Sequence, residues 1–201
     1  MMMPGPEPRS KTAEQILDIA ELLIQTRGYS AFSYQDISNA LGIRKASIHY
    51  HFPSKTDLGI AVIERYGQRF SSALAAIAAD PFANSMTMLD YYISPYLQNA
   101  DTPDRVCMCG ALAGEMMALP EEMRARVDRF FKAHQLWLAG ILERGVRRGE
   151  FRLSASPEKT ARLIFGALQG ALLVKRTTGD LTQFQDVVAG LKLHLRAGAN
   201  A

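Results

Sequence analysis

The segment SYQDISNALGIRKASIHYHFPSKTDL, residues 33–58, constrains the fold of this chain more than any other part of its sequence. It begins with a Ser-x-x-Asp pattern at Ser33 and contains a second one at Ser54. Each pattern predicts the start of a helix, because both side chains accept hydrogen bonds from free backbone N–H groups. Gly42 lies between the two starts and is able to adopt the left-handed backbone angles that end a helix. The segment therefore predicts two short helices joined by a tight turn, followed by a third helix.

The second of these helices has one apolar face and one polar face. Ile48 and Phe52 are four residues apart, and we expect both to face the interior. The other face is basic, polar and aromatic, as in a helix-turn-helix unit that places its second helix in the major groove of DNA. A plain antiparallel helix pair inside a bundle is the alternative that this pattern leaves open. The candidate DNA-contacting residues are Ser33, Arg44, Lys45, Ala46, Ser47, His49, Tyr50 and Lys55.

Residues 12–58 resemble the DNA-binding domain of the TetR family of bacterial transcriptional regulators. The residues that carry the resemblance are Gly28-Tyr29, Phe32-Ser33, Asp36-Ile37, Leu41-Gly42-Ile43, Ala46-Ser47-Ile48 and the run from His51 to Leu58. The family usually has Tyr at the position of His49 and His at that of Tyr50, so the two aromatic types are exchanged here. The resemblance implies a transcriptional regulator that binds double-stranded operator DNA and is not an enzyme.

Composition sets limits on the class of protein. With 48% hydrophobic and 21% charged residues, the 201-residue chain is expected to be globular and not disordered. No apolar run reaches the ~20 residues that cross a bilayer, so we expect no membrane partner. Two cysteines separated by one residue predict no disulfide framework and favour a cytoplasmic location. Residues 1–10 lack a signal-peptide core and are predicted to form a flexible arm.

Net charge gives little indication of a nucleic-acid partner. The whole chain carries a formal charge of +3, and six basic and six acidic residues cancel over residues 1–60. We therefore expect affinity for DNA to depend on where Arg44, Lys45 and Lys55 lie around the second helix, and not on overall charge.

Helical patterns continue to the end of the chain. Apolar periodicity and breaks at Pro or Gly predict helices over residues 12–27, 55–79, 85–99, 105–119, 121–148, 157–178 and 181–195. Pro95 is expected to kink or divide the helix over residues 85–99. We predict an all-α protein, with a helix-turn-helix domain over residues 11–55 and a larger effector-binding and dimerisation domain over residues 56–201.

The last two predicted helices, residues 157–178 and 181–195, are candidates for a homodimer interface. Small side chains that allow close approach occur at Gly166, Ala167, Gly170 and Ala171. Apolar area is supplied by Leu163, Leu168, Leu172, Val187, Val188, Leu191 and Leu195. Packing of these residues inside one subunit is the alternative. TetR-like regulators pair their last two helices into a four-helix bundle, so the resemblance implies a homodimer with two recognition helices on a palindromic operator.

A second motif, Cys-x-x-Gly-x-Leu-x-x-Glu, runs from Cys107 to Glu115. On a continuous helix Cys107 and Cys109 point about 200° apart, so they are poor partners for one disulfide or one metal ion, and we predict no metal and no cofactor. A buried apolar thiol is the simplest interpretation. The motif is similar to that of the NemR-type, electrophile-sensing branch of the TetR family. That resemblance implies a reactive Cys107 with Lys175 close to it, an ammonium that would favour the thiolate.

A reversible ligand in an apolar pocket is the competing hypothesis for the signal. Trp137 is the best single candidate, because a buried indole N–H needs a hydrogen-bond partner. His134 is more simply interpreted as a satisfied core histidine. The candidate sensing residues are Cys107, Lys175, Trp137, Met116, Phe131 and His134, and further aromatic or flexible side chains are Met117, Phe130, Tyr91, Tyr92 and Tyr96.

These observations predict a repressor that binds its operator as a homodimer and is released by a small molecule, or by an electrophile or oxidant sensed at Cys107. A cysteine-dependent enzyme is a weaker hypothesis, because the sequence has no carboxylate pair and no glycine-rich phosphate loop. A binding protein whose first domain has lost its DNA activity is the third class. The polar, capped second helix argues against that class.

Overall fold

The computed structural model of the chain describes residues 9–196, and of residue 196 only the backbone. Residues 1–8 of the predicted arm and residues 197–201 of the predicted second domain lie outside the described residues. Ser10 lies within them, and its hydroxyl accepts a hydrogen bond from the N–H of Ala13 at 3.2 Å. Ser10 therefore caps the first helix and belongs structurally to that helix.

All regular elements of the described residues are helices, which confirms the predicted all-α class. In chain order they are α1 (Lys11–Arg27), α2 (Tyr34–Leu41), α3 (Lys45–His51), α4 (Lys55–Ala79), α5 (Ser85–Asp101), α6 (Met108–Gly114), α7 (Glu121–Arg147), α8 (Pro157–Thr178) and α9 (Leu181–Arg196). A 3-10 turn over Met116–Ala118 follows α6. The bounds of α4 and α8 are those predicted from the sequence.

Helices α1, α2 and α3 pack together and form the first unit. Both predicted capping boxes are present: Ser33 with Asp36 starts α2, and Ser54 with Asp57 starts α4. Gly42 ends α2 with a φ of 65°, a left-handed conformation that a residue without a Cβ atom adopts at little cost. Buried side chains of this unit include Ile16, Ile37, Ile48 and Phe52.

Helix α4 carries the chain out of the first unit, and an ion-pair cluster fastens it to α1. Glu21 of α1 is buried although it is acidic. Its carboxylate accepts hydrogen bonds from Arg69 at 2.5 and 2.7 Å and from Arg65 at 3.2 Å. Arg65 also pairs with Glu14 at 2.9 Å and with Asp18 at 2.8 Å. A buried carboxylate requires such partners, so this cluster fixes α1 against α4.

Helix α5 continues through Pro95, where the sequence predicted a kink or a division. Proline lacks the N–H that would donate to the carbonyl of Tyr91, four residues earlier. The hydroxyl of Ser94 donates to that carbonyl at 2.9 Å. The division predicted at this position is therefore wrong, because a neighbouring side chain replaces the hydrogen bond that proline removes.

The helix predicted over residues 105–119 is also wrong in its extent. Helix α6 begins only at Met108, and Cys107 is its N-cap residue, with φ −56° and ψ 128°. The N–H of Val106 donates to the carbonyl of Gln25 in α1 at 3.3 Å, which holds the segment before α6 against the first unit. Because Cys107 is not helical, the predicted opposite orientation of the two cysteines on one helix does not apply.

Helices α7, α8 and α9 form most of the second unit, and α5 packs against all three. Several residues predicted for a dimer interface are instead buried within the subunit, because α8 packs against α7 and α9 on that face: Leu168, Ala171, Leu172, Val188 and Leu195. The outward side of the same two helices is a stripe of small and apolar residues, which we name the α8–α9 stripe. It comprises Leu163, Gly166, Gly170, Leu173 and Val174 of α8 with Gly190 and Leu193 of α9.

Candidate DNA-binding surface and effector-domain core

The turn before α3 holds that helix at the surface of the first unit. The N–H of Gly42 donates to the carbonyl of Ser38, and the hydroxyl of Ser38 donates to the carbonyl of Ile43 at 2.6 Å. Ile48 is fully buried beneath α3. Anchored from one side by Ile48, the short helix presents its opposite side to solvent.

The exposed side of α3 carries most of the predicted DNA-contacting residues. We name this set the recognition surface: Arg44, Lys45, Ala46, Ser47 and Tyr50. Arg44, Lys45 and Ala46 are exposed, Ser47 is half-buried, and Tyr50 is 83% exposed. Within residues 9–196 neither Arg44 nor Lys45 has an ion-pair partner. Both cations are therefore directed to solvent.

His49 and Tyr50, the two exchanged aromatic residues, differ in what they contact. The ring of His49 lies 4.7 Å from that of Tyr34, between centroids. Its Nδ1 is 3.1 Å from the carbonyl oxygen of Pro53. A carbonyl oxygen only accepts, so Nδ1 is the nitrogen that carries the proton. These contacts fix the orientation of His49 within the first unit, whereas Tyr50 is largely exposed and forms an edge-to-face pair with the neighbouring His51 ring, 5.0 Å between centroids.

The ammonium of Lys55 is turned towards the first unit, and its predicted contact with DNA stays a prediction. Its ammonium donates to the carbonyl of Phe32 at 2.5 Å and lies 4.6 and 4.5 Å from the ring centroids of Tyr29 and Phe32. Burial lowers the pKa of this ammonium. Lys55 thus holds the start of α4 against the loop after α1. Ser33 is exposed, but its hydroxyl is engaged in the capping box, where it donates to Asp36 at 2.8 Å.

Both cysteines are free and buried. The Sγ atom of Cys107 lies 3.7 Å from the hydroxyl oxygen of Tyr66, and burial raises the pKa of the Cys109 thiol. Lys175, predicted to favour a Cys107 thiolate, donates to the carbonyl of Thr102 at 3.0 Å. In the part of the chain that the structure describes, no hydrogen bond joins Lys175 to Cys107. The buried ammonium is thus satisfied by the carbonyl that follows α5, and its predicted effect on the Cys107 thiol stays a prediction.

The interior of the second unit is filled by aromatic side chains, which we name the aromatic core. Its members are Tyr66, Phe70, Tyr92, Tyr96, Phe130, His134, Trp137 and Phe165. The Tyr92 hydroxyl lies 3.1 Å from Nδ1 of His134 and 3.4 Å from the hydroxyl of Tyr96. Gln169 donates to Tyr96 at 3.3 Å. A chain of uncharged polar groups therefore crosses an otherwise apolar interior.

The structure brings several predicted sensing residues together in this core. Trp137 stacks on Tyr92 with the centroids 5.6 Å apart and the planes 16° apart. Burial lowers the pKa of His134 to about 4, so its imidazole is neutral near pH 7. Phe131 contacts the core through the Phe165 ring at 4.9 Å, and Met116 lies in the 3-10 turn, half-buried against the same apolar interior.

Glu115, directly after α6, joins the second unit to the first. Its carboxylate accepts hydrogen bonds from the N–H of Tyr29 at 2.6 Å and from the N–H of Ser30 at 2.8 Å. Gly28 permits this approach, because its φ is 94° and a Cβ atom there would lie 2.3 Å from Oε1 of Glu115. We name these four residues the domain junction.

Two further contacts hold the end of α1. Arg176 of α8 donates to the carbonyl of Thr26 at 2.7 Å. Arg105, two residues before Cys107, donates from Nε to the side-chain oxygen of Gln25 at 2.8 Å. The segment before α6 and helix α8 are therefore both bonded to the last turn of α1.

Sequence reasoning did not identify Tyr66, Phe70 or Gln169, nor the partners of Glu115. A partial signal was available, since Tyr66 and Phe70 are four residues apart on α4 and therefore share a face. Gln169 is a polar residue within an apolar stretch of α8. The contacts of Tyr66 and Phe70 with rings of α7, and of Gln169 with Tyr96 of α5, arise only from helix packing.

No helix within residues 9–196 is long and apolar enough to cross a membrane. No group of three or more His, Cys, Asp or Glu side chains in the same range is placed to hold a metal ion.

Comparison with known proteins gives two family matches. Residues 16–62 match the family described as bacterial regulatory proteins, tetR family. Residues 86–191 match the family described as tetracyclin repressor-like, C-terminal domain. Together the two matches include the recognition surface, the domain junction, and the aromatic core apart from Tyr66 and Phe70.

Individual proteins align over almost the whole chain. A TetR transcriptional regulator from Legionella pneumophila has a TM-score of 0.84 at 32% identity and covers 93% of this chain and 98% of its own. A TetR-family regulator from Agrobacterium tumefaciens has a TM-score of 0.83 at 35% identity, with coverage of 90% and 95%. The repressor NemR of Escherichia coli K12 is 22% identical over 185 residues, which are 90% of this chain and 92% of NemR. The electrophile-sensing branch stays a prediction at that level of identity.

Proposed function

Since this chain belongs to the TetR family of bacterial regulatory proteins, we propose that it acts as a ligand-released repressor. As a member of that family it is a DNA-binding transcriptional regulator and not an enzyme. The proposed repressor binds a palindromic operator as a homodimer, and a small molecule in the aromatic core releases it. The observation that carries the proposal is the recognition surface, whose two cations have no ion-pair partner among the described residues.

Contact with DNA is supported by where the cations lie and not by their number. Arg44 and Lys45 are at the start of α3, where the recognition helix of a helix-turn-helix unit contacts base edges and phosphates. Tyr50 is 83% exposed on a helix that the buried Ile48 holds in place. The phosphate contacts of the two cations predict binding that weakens as salt rises, with a slope of about one unit of log affinity per contact.

Dimerisation is supported by the α8–α9 stripe. Leu163, Leu173 and Leu193 are 54%, 49% and 67% exposed. The space beside Gly166 and Gly190 is open, because a Cβ atom at either position would have no neighbour within 4 Å. Two adjacent helices with exposed leucines and small residues between them form a face that pairs with its own copy about a two-fold axis. Such a pair would present two α3 helices to two half-sites of a palindrome.

A reversible ligand is the form of signal that the aromatic core favours. Its polar groups are neutral hydroxyl, imidazole and amide groups, so they suit an uncharged aromatic or alkyl molecule with one or two hydrogen-bonding groups. A cavity of about 210 Å³ between α4 and α7 reaches Phe130 and His134 from the outside. This cavity supports an entry route, and a larger ligand would require the aromatic side chains to move.

Helix α6 is the proposed connection between ligand and DNA. Its N-cap residue, Cys107, contacts Tyr66 of the aromatic core, and its C-cap residue, Glu115, holds the first unit at Tyr29 and Ser30. A ligand that displaces Tyr66 would therefore act on one end of a short rigid helix whose other end positions the DNA-binding unit. The ligand shifts the equilibrium only if it binds the two arrangements with different affinity.

The test of DNA binding is fluorescence anisotropy with the duplex upstream of the protein's own gene. We expect Arg44→Ala and Lys45→Ala each to weaken binding about tenfold and to reduce the salt slope by about one. Arg147→Ala is the matched control, because Arg147 is exposed and, among the described residues, its ion pair is an i,i+4 pair with Glu143 on α7. Equal affinity for all four proteins would contradict the proposed recognition surface.

The test of dimerisation is sedimentation velocity. We expect Leu173→Glu or Leu193→Glu to convert a dimer into a monomer with unchanged helix content, because each places a charge on the α8–α9 stripe. Leu136→Glu is the control, since Leu136 is 76% exposed on α7, outside the stripe. A wild-type monomer at micromolar concentration, or a dimer in both stripe variants, would refute the interface.

Covalent sensing at Cys107 is the second candidate, and it is supported by the position of this thiol at the N-cap of α6. An adduct there would act on the same helix as a reversible ligand. Release of the operator by N-ethylmaleimide in the wild type and in Cys109→Ser, but not in Cys107→Ser, would support it. Equal release in the wild type and in Cys107→Ser would remove it, and the reversible proposal would stand alone.

A further inference from the structure

A cavity of about 440 Å³ lies where the first unit meets the second. One wall is formed by Arg27 and Gly28 at the end of α1, and the other walls come from the α6 segment, α7 and α8. Its volume is within the range of about 300–1,000 Å³ that is usual for small-molecule sites. We propose that this junction cavity binds a small amphipathic monoanion, a carboxylate with a short apolar body, as a second effector separate from the aromatic core.

The charges of the cavity favour an anion. Arg27 and Arg176 both line it. Arg176 donates one N–H to Thr26 and Arg27 pairs with Asp36 at 3.4 Å, so the remaining donors of each five-donor guanidinium are open to a further acceptor. The pair of Arg27 with Asp36 is weak, because both side chains are more than one-third exposed.

The one acidic residue of the cavity is already satisfied. Glu115 accepts hydrogen bonds from two backbone N–H groups, those of Tyr29 and Ser30. Its carboxylate is therefore a poor site for a ligand cation, which would have to compete with these donors. The cavity offers two cationic groups and no free carboxylate among its lining residues, and this asymmetry selects a negatively charged ligand.

The remaining lining residues favour an apolar body on that anion. Ala111 and Ala113 of α6, Phe131 of α7 and Leu173 of α8 contribute methyl, aromatic and branched aliphatic surface. Phe131 and the two alanines are half-buried. A chain of a few carbon atoms placed against them would be removed from water, at about 0.8 kcal/mol per buried CH₂. An inorganic anion would gain nothing from this surface.

Binding in this cavity would act directly on the contacts between the units. A carboxylate on Arg176 would share its guanidinium with the carbonyl of Thr26 in the last turn of α1, and a ligand body beside Glu115 adjoins the domain junction. A ligand that binds more tightly when the contacts between the two units are broken would lower the affinity for the operator. By linkage, the operator would lower the affinity for the ligand by the same factor. The effect on DNA rests on the proposed repressor function, whereas binding of the anion does not.

The experiment is isothermal titration of the full-length protein with octanoate, with 1-octanol and octylammonium as probes of equal length. We expect octanoate to bind and the neutral and cationic probes to bind at least about tenfold more weakly, the usual effect of losing one charge-assisted hydrogen bond. Arg27→Gln should weaken octanoate binding about tenfold. Ala113→Leu should abolish it by filling the cavity, with Arg147→Gln as the control for loss of a surface cation.

Three results would overturn the inference. The first is equal binding of octanoate and 1-octanol, and the second is no binding of octanoate at millimolar concentration. The third is a loss of binding in Tyr92→Phe with none in Arg27→Gln or Ala113→Leu, which would place the ligand in the aromatic core. Operator affinity without octanoate is measured on the same proteins, so failure of DNA binding is recognised separately from failure of the cavity.

Discussion

Replacement of Glu115 by Gln tests whether the domain junction holds the two units together. The carboxylate accepts two backbone N–H groups, at 2.6 Å from Tyr29 and 2.8 Å from Ser30. A hydrogen bond to a charged group contributes about 1.5–3 kcal/mol when buried. Glu115 is half-buried and Ser30 is exposed, so water replaces part of this contribution. Gln keeps one acceptor oxygen and turns an NH₂ group toward the other donor, and we expect a loss of about 1–2 kcal/mol of unfolding free energy.

Gly28→Ala addresses the same junction from the opposite side. An alanine at a φ of 94° costs about 1–3 kcal/mol in backbone strain, and its Cβ would lie 2.3 Å from Oε1 of Glu115. Glu115→Ala removes the second cost and leaves the first. The loss of unfolding free energy caused by Gly28→Ala should therefore be at least about 1 kcal/mol smaller in the Glu115→Ala background than in the wild type. A double-mutant cycle measures this coupling.

The assay is urea unfolding followed by circular dichroism, with amide hydrogen exchange at Tyr29 and Ser30 as a local readout. Both amides should exchange faster in Glu115→Gln, because each loses a full or partial acceptor. Glu122→Gln, at an exposed position on α7, is the control and should change stability by less than about 0.5 kcal/mol. Unchanged stability and exchange in Glu115→Gln, or strictly additive costs in the cycle, would refute the reasoning.

Three other predictions concern single buried groups. Burial lowers the pKa of His134 to about 4, below its value of about 6.5 in the unfolded chain. The unfolded state therefore binds the proton first, and up to about 3 kcal/mol of stability is lost as pH falls from about 6.5 to about 4. Urea midpoints of the wild type and of His134→Phe across this pH range check the prediction. Cys107 and Cys109 should react with an aromatic disulfide reagent at least about 100-fold more slowly in the native protein than in denaturant, since both are buried and need local opening. Tyr34→Phe should cost about 1–2 kcal/mol, because the hydroxyl lies 2.7 and 2.6 Å from two backbone carbonyl oxygens, and a midpoint equal to the wild type would contradict this contact.

Local signals explain why some elements were predicted with their correct bounds. Helix α4 begins after a capping box and ends before Asp80-Pro81, and α8 begins with a proline and ends at Gly179 in the left-handed conformation. Each signal acts within one turn of the helix end, so the sequence contains it completely. The extent of α6 could not be predicted in this way, because the segment before it is held by Gln25, which is far away in the chain.

Some features of the candidate site also follow from local sequence, whereas others depend on distant residues. Ile48 and the polar residues around it identified the exposed face of α3, since helical periodicity alone places them on opposite sides. The directions of Lys55 and Lys175 were not predictable, because a lysine side chain reaches several acceptors and a distant partner decides among them. Phe32 and Thr102 are those partners, and both are supplied through their backbone carbonyls, whose positions depend on the fold.

The sequence by itself determined that this protein is all-α and that its first domain carries a helix-turn-helix unit, because caps, turns and periodicity are local properties. It also determined which side of α3 is polar. Only the tertiary structure decided that Cys107 contacts Tyr66, that Lys175 donates to the carbonyl of Thr102, that Glu115 holds the first unit, and that a cavity lined by Arg27 and Arg176 lies between the units. These features join residues that are remote in sequence, so their distances are set by helix packing and not by spacing along the chain.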